Sequence, residues 1–168
     1  MQQSLVIMGV AGCGKSSLGA AVAKAEGLAL VEGDDFHSPA SRDKMARGVA
    51  LTDADRADWL DLLALQLQAN PAGVVLTCSA LRLRYREHLR AATPGLRFVF
   101  LQLDREAALQ RVAARAATHF FSASLVDSQF ATLEPPLGER GVLALDATRP
   151  LSELQAAVSA WLQSKETA

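Results

Sequence analysis

The stretch GVAGCGKSS, residues 9 to 17, is the feature that most constrains the fold of this chain. It follows the short apolar run SLVIM and precedes an alanine-rich stretch with helical periodicity. The spacing therefore predicts a strand that turns sharply through a glycine-rich loop into a helix. The loop also fits the pattern GxxxxGK[ST], with Gly9, Gly14, Lys15 and Ser16 in its fixed places.

The residue types of this loop suit phosphate binding. Glycines let the backbone curl so that successive N–H groups point into one concavity, and the following helix presents its positive end there. We expect Lys15 to reach the β and γ phosphates and Ser16 to hold Mg²⁺ through its hydroxyl. The alternative is a glycine-rich turn with a surface lysine. The predicted ATP-binding residues of the loop are Gly9, Ala11, Gly12, Cys13, Gly14, Lys15, Ser16 and Ser17, with Cys13 acting through its backbone N–H.

Short runs rich in Val, Leu and Ile alternate with longer segments at helical spacing, which is typical of repeated βα units around a parallel sheet. We predict strands near 4–8, 28–32, 73–78, 96–103 and 141–146, apolar throughout as in strands covered on both faces. We predict helices near 15–26, 39–47, 53–69, 82–92, 105–116, 122–132 and 150–164. Start signals are Ser38, Thr52 with Asp55, and Pro150 in a first turn. The fold class is α/β, and residues 1–168 form a single domain.

Composition excludes several partners. The net charge is -1, so no global field attracts nucleic acid or an anionic membrane. The apolar runs fall well short of the roughly 20 residues that a membrane span needs. No secretion signal is seen, so we expect a cytoplasmic protein. Cys13 and Cys78 lack metal-site spacing and are predicted to be free thiols.

The second predicted strand leads into a segment dense in charge, about residues 33–60. Ligands bind at the carboxyl ends of parallel strands, so Glu32, Asp34 and Asp35 should emerge beside the phosphates. One carboxylate can order the water shell of Mg²⁺ while another accepts a hydroxyl proton from the acceptor. The alternative is an acidic loop at a helix start. Further donors suit a small, polyhydroxylated or anionic acceptor: His37, Lys44, Arg47 and Arg56.

Longer motifs resemble one family. They are GDDFH, the KM and G at 44, 45 and 48, LTDADR and WL, then CSALRLRYREHLR at 78–90, RVAAR at 111–115, HF at 119–120, and SLVDSQFATLEPP at 124–136. This series, over roughly residues 5–146, resembles the gluconate kinases, small P-loop kinases related to shikimate and adenylate kinases. The resemblance implies a three-layer α/β/α fold with a five-stranded parallel sheet and a mobile lid. It also implies ATP and Mg²⁺ as cofactors and phosphorylation of gluconate to 6-phosphogluconate.

The resemblance also implies roles for single residues. Asp34 would be the general base, Glu32 would assist Mg²⁺ through water, and Lys15, Asp34 and Arg115 would be catalytic. The substrate-binding residues would be Asp34, Asp35, His37, Lys44, Arg56, Ser79, Arg82 and His119. Arg111 and Arg115, four apart on one helix face, would contact ATP.

Residues of about 33–60 would bind the acceptor and are called the acceptor segment below. Residues of about 115–133 would form the lid, and the resemblance suggests a homodimer. Ser41, Arg82 and Thr118 depart from the usual asparagine, lysine and glycine of the family. Two alternatives stay open. One is a related kinase for another sugar acid, shikimate or a nucleotide; the other is a nucleotide-dependent regulatory module.

Overall fold

The computed structural model describes residues 3–115 and 122–164. Five strands are present: β1 (Leu5–Met8), β2 (Ala29–Glu32), β3 (Val74–Thr77), β4 (Arg97–Gln102) and β5 (Val142–Asp146). The helices of the described ranges are α1 (Lys15–Glu26), α2 (Pro39–Ala46), α3 (Asp53–Ala69), α4 (Leu83–Ala92), α5 (Arg105–Ala114), α6 (Ala123–Thr132) and α7 (Leu151–Gln163). A short 3-10 helix, Gly33–Phe36, follows β2 directly and begins the charged segment of about residues 33–60, which is called the acidic segment where it follows β2. This helix was not predicted.

The strands form one parallel sheet in the order β2-β3-β1-β4-β5, which confirms the predicted five-stranded sheet. Because all strands run the same way, their carboxyl ends meet at one edge. The register pairs Ile7 with Thr77 and Glu32 with Thr77. The glycine loop after β1 and the acidic segment after β2 therefore share this edge with the loop after β3.

Side chains of β1 alternate between two cores, one on each face of the sheet. Leu5 and Ile7 pack in a core with residues of α1 and α7. Val6 and Met8 pack in a second core with residues of α3 and α4. Helices thus cover both faces, and the predicted three-layer architecture is confirmed. The prediction that every strand is covered on both faces was wrong for β2 and β5, which are the sheet edges and stay partly exposed.

Two of the three predicted helix start signals are confirmed. The hydroxyl of Ser38 accepts a hydrogen bond from the backbone N–H of Ser41 at the start of α2. Thr52 and Asp55 form a reciprocal capping box at the start of α3. Pro150 precedes α7 and does not lie in its first turn. Both cysteines are free and buried, as predicted. Within residues 3–115 and 122–164, every helix is too short or too polar to cross a bilayer.

Candidate active site

The glycine loop turns directly from β1 into α1. Gly14 precedes the helix with φ +97°, a left-handed conformation that side chains disfavour. At Gly9, with φ +147°, an added Cβ would lie 2.9 Å from the carbonyl oxygen of Leu101. No side chain caps the start of α1, and its first turn contains no acidic residue. The first N–H groups of the helix therefore face the loop without a side-chain acceptor, which suits an anion.

Lys15 folds back over this loop. Its Nζ donates hydrogen bonds to the carbonyl oxygens of Gly9 at 3.0 Å and Val10 at 3.1 Å. Both acceptors are neutral, so the positive charge of Lys15 is not neutralised by them. The loop and its lysine therefore present N–H donors and a cation to the same space.

A cluster of oxygen atoms lies beside the loop at the carboxyl ends of β2 and β3. The Oε2 atom of Glu32 accepts hydrogen bonds from Ser16 Oγ at 3.0 Å and from Thr77 Oγ1 at 2.5 Å. Thr77 Oγ1 also accepts from the backbone N–H of Gly33. Hydroxyl and carboxylate oxygens are the donors that Mg²⁺ prefers, and it usually retains waters and substrate phosphates as its other ligands. This donor set fits Mg²⁺, although no group of three metal-ligating residues occurs among the described residues.

Asp34 lies on the 3-10 helix after β2. Its Oδ1 is 3.6 Å from Nε2 of His37, and 87% of its side chain is accessible to solvent. The nearby His37 imidazole lowers the pKa of Asp34; desolvation in the cleft opposes this, and the positive charge of Lys15 adds to the lowering. Asp34 is therefore ionised at neutral pH and open to an incoming ligand.

A tryptophan fixes the segment that presents Asp34. The Trp59 indole N–H donates to the carbonyl oxygen of Gly33 at 2.8 Å, and its ring stacks on His37 at 4.3 Å between centroids. Trp59 is buried in the core. It is also a support for the 3-10 helix, which the spacing alone did not indicate.

One cleft joins the loop to the acidic segment. Of the predicted site residues, the structure brings together Ala11, Gly12, Gly14, Lys15, Ser16, Ser17, Asp34, His37, Arg56, Ser79 and Arg115 around it. Further lining residues that sequence reasoning missed are Met45, Ala50, Leu51, Trp59, Val112, Leu125, Ser128 and Gln129. The cleft thus combines the loop, one carboxylate and three cationic side chains with apolar walls.

Other predicted site residues do not line this cleft. Lys44 is bound to both carboxylate oxygens of Asp55 at 2.8 and 2.9 Å. Arg111 donates to the carbonyl oxygens of Gly12 and Ala147, so it braces the back of the loop. The remaining residues outside the lining are Gly9, Cys13, Glu32, Asp35 and Arg82. His119, and part of the predicted lid, lie outside the described residues.

Arg86 supports the loop after β3, and sequence reasoning missed it. Its side chain is fully buried in α4. It donates to the carbonyl oxygens of Ala80 at 2.7 Å and Glu134 at 2.9 Å, and it pairs with the Glu139 carboxylate at 2.5 Å. Ala80 has φ +46°, rare for a residue with a side chain, and Ser79 beside it lines the cleft. Arg86 thus holds a strained turn at the cleft.

Comparison with known proteins agrees with this geometry. A family model described as an AAA domain matches residues 5–136. The chain is 42% identical to the gluconokinase of Gluconobacter oxydans over 86% of this chain and 83% of that protein. It is 39% identical to the thermoresistant gluconokinase of Escherichia coli over 87% and 85%. The crystal structure of a gluconokinase from Sinorhizobium meliloti superposes with a TM-score of 0.87 at 42% identity, covering 95% of this chain and 91% of that one.

The parallel sheet, the phosphate loop and the cleft beside it define a kinase of the P-loop class. Within that class, the identities above show that the chain belongs to the gluconokinase family.

Proposed function

We propose that the protein transfers the γ-phosphate of ATP to the 6-hydroxyl of gluconate. The observation that carries this proposal is the single cleft in which Lys15 of the phosphate loop, Asp34 and Arg56 meet. A kinase that phosphorylates a sugar acid must hold two anionic substrates next to each other. It must also place a proton acceptor, here a carboxylate, at the attacking hydroxyl between them. The names of the relatives support gluconate as the acceptor.

On the donor side, the N–H groups at the start of α1 and the Lys15 ammonium bind the phosphates of ATP. Ser16, whose hydroxyl contacts the Glu32 carboxylate, would hold Mg²⁺ directly, and Glu32 would hold it through water. When bound, the ion neutralises charge on the β and γ phosphate oxygens. Arg115, which lines the same cleft, stabilises the negative charge on the transferring group.

On the acceptor side, Asp34 accepts the hydrogen of the attacking hydroxyl. The hydroxyl oxygen forms a bond to the γ-phosphorus as the bond between that phosphorus and the β–γ bridging oxygen breaks. The proton passes to Asp34, and ADP leaves. A lowered pKa makes Asp34 a weak base, so its main contribution is to orient the hydroxyl while charge develops late in the transfer.

Arg56 binds the gluconate carboxylate at the other end of the acceptor. Its guanidinium donates to the hydroxyl of Tyr85 at 3.3 Å and lies 5.6 Å from the centroid of that ring. These contacts fix the side chain without neutralising it, so it keeps its charge for an anion. A homodimer and a cytoplasmic location remain predictions.

A coupled assay that detects ADP across a panel of sugar acids, shikimate and nucleotides tests the proposal. We expect gluconate to give the highest kcat/KM. ADP formation with another acceptor alone would assign the protein to a related kinase, and ATP binding without transfer to any acceptor would favour a regulatory module.

The adjacent pair Asp34 and Asp35 provides a matched test of the base. We expect Asp34→Asn to lower kcat by about 100-fold or more, because an amide can neither take the hydroxyl proton nor orient the hydroxyl as the carboxylate does. Asp35 does not line the cleft, so Asp35→Asn should have the smaller effect. The reverse order would assign the role to Asp35.

A further inference from the structure

Gln129 on α6 makes a direct contact with the phosphate loop. Its Oε1 accepts a hydrogen bond of 2.7 Å from the backbone N–H of Ala11, 118 residues away in sequence. Because a backbone N–H can only donate, the side-chain amide must present its oxygen to Ala11, and its NH₂ group points elsewhere. Gln129 lines the cleft, and Nε2 has no hydrogen-bond partner within residues 3–115 and 122–164.

The same helix also contacts the acceptor segment. The hydroxyl of Ser124 donates to the carbonyl oxygen of Gly48 at 3.3 Å, and both Leu125 of α6 and Leu51 of the acceptor segment line the cleft. Arg105 pairs with Asp127 and fixes α6 against α5. One helix therefore touches both the loop that holds the donor and the segment that holds the acceptor.

We propose that Gln129 is a positioning residue for phosphoryl transfer, an inference that rests on the proposed function. Its oxygen binds Ala11 in the first half of the phosphate loop and so fixes the loop to α6. Because α6 also contacts the acceptor segment, this hydrogen bond aligns the loop with that segment. The N–H groups at the start of α1 hold the β-phosphate, and Gln129 does not contact them. Loss of Gln129 should therefore displace the transferred γ-phosphate more than it displaces the β-phosphate.

The test replaces Gln129 with methionine, which keeps the length of the side chain and removes both hydrogen-bonding groups. We expect Gln129→Met to lower kcat at saturating ATP and gluconate by about tenfold or more, since small misplacements of reacting groups are costly. The affinity for ADP should change by less than about threefold. The control is Gln68→Met on the exposed part of α3, which should leave all these quantities unchanged.

Two results would overturn the proposal. One is a kcat for Gln129→Met within about twofold of the wild-type value. The other is an equal loss of ADP affinity and of kcat together with a lower melting temperature, because that pattern describes a structural role alone. The ratio of affinities for a non-hydrolysable ATP analogue and ADP needs no acceptor. It should fall by about three- to tenfold in Gln129→Met, so it tests Gln129 even if gluconate is not the acceptor.

Discussion

Replacing Arg86 with methionine is expected to be among the most destabilising single changes in the chain. The guanidinium has no solvent exposure and is bound to two carbonyl oxygens and to Glu139. Methionine fills similar space but supplies no donor. The carbonyl oxygens of Ala80 and Glu134 then lose a buried donor, and Glu139 keeps only its contact with Arg90.

The magnitude follows from these lost partners. Removing one partner of a buried ion pair costs about 3–5 kcal/mol. Arg90 still contacts Glu139 and offsets part of this cost, while the two buried carbonyl oxygens that lose their donor add to it. For a chain of this length, each kcal/mol corresponds to about 2–4 °C in melting temperature. We therefore expect Arg86→Met to melt roughly 6–20 °C below the wild type.

Arg84 on the same helix is the matched control. It pairs with Asp53, but 57% of its side chain is exposed. Exposed pairs contribute little, so Arg84→Met should shift the melting temperature by less than about 4 °C. Thermal unfolding followed by circular dichroism measures both variants at one pH and salt concentration.

A second substitution distinguishes the loss of the Arg86–Glu139 ion pair from the loss of side-chain packing at position 86. The carboxylate left behind is part of the cost, so Glu139→Gln added to Arg86→Met should recover some of the lost stability. The reasoning would be refuted if Arg86→Met melted as the Arg84→Met control does. It would also fail if Glu139→Gln destabilised the chain equally with and without Arg86, because the two side chains would then be independent.

Four further predictions follow from charge and burial. Lys15→Met should weaken ATP binding in calorimetry and lower kcat together, since in the proposed mechanism the ammonium contacts the phosphates in both the ground and the transition state; normal steady-state kinetics would contradict this role. The pKa of Asp34 is lowered, so it stays ionised as the pH falls and should contribute no acid limb to kcat/KM between pH 7 and about 5; an acid limb near pH 6 that Asp34→Asn abolishes would contradict that. Hydrogen bonding from Lys44 lowers the pKa of Asp55 from 3.8 to about 2, so its contribution to stability is complete above about pH 4 and lost as the pH falls toward 2. Asp55→Asn should therefore flatten the plot of stability against pH below about pH 4. An unchanged plot would show that the Lys44–Asp55 pair does not cause this pH dependence. Burial raises the pKa of the Cys78 thiol to about 12, so it should resist alkylation at pH 8 until the protein unfolds.

The fold was predictable because its signals are local. The apolar runs, the glycine loop and the Thr52–Asp55 capping box each specify a turn, a strand or a helix start within a few residues. The loop also specifies its own chemistry, since Lys15 and Ser16 follow directly at the start of α1. What the sequence left open is the side-chain partner of each charged residue. Lys44 is an example, because its partner Asp55 becomes a neighbour only when α2 packs against the start of α3.

The same reason explains why Gln129 and Arg86 were missed. Gln129 meets Ala11 across 118 residues, and Arg86 meets Glu139 across 53. Both stand within quoted motifs, so their positions carried a signal. However, glutamine and arginine on a helix surface are ordinary, and no spacing rule distinguishes a contact made across the fold from exposure to solvent. Only the packed structure shows that Gln129 lines the cleft and that Arg86 supports the turn beside it.

Pairing also explains which cations can bind substrate. Arg84, Arg86 and Arg105 form ion pairs with carboxylates, so much of their charge is already compensated. Within residues 3–115 and 122–164, the partners of Lys15 are carbonyl oxygens and a thiol, and the partner of Arg56 is a phenol. Neutral partners position a cation without cancelling its charge. The cleft therefore offers positive charge at two separate points, as the proposed binding of a triphosphate and a sugar-acid carboxylate requires, with Asp34 as the ionised carboxylate of its lining.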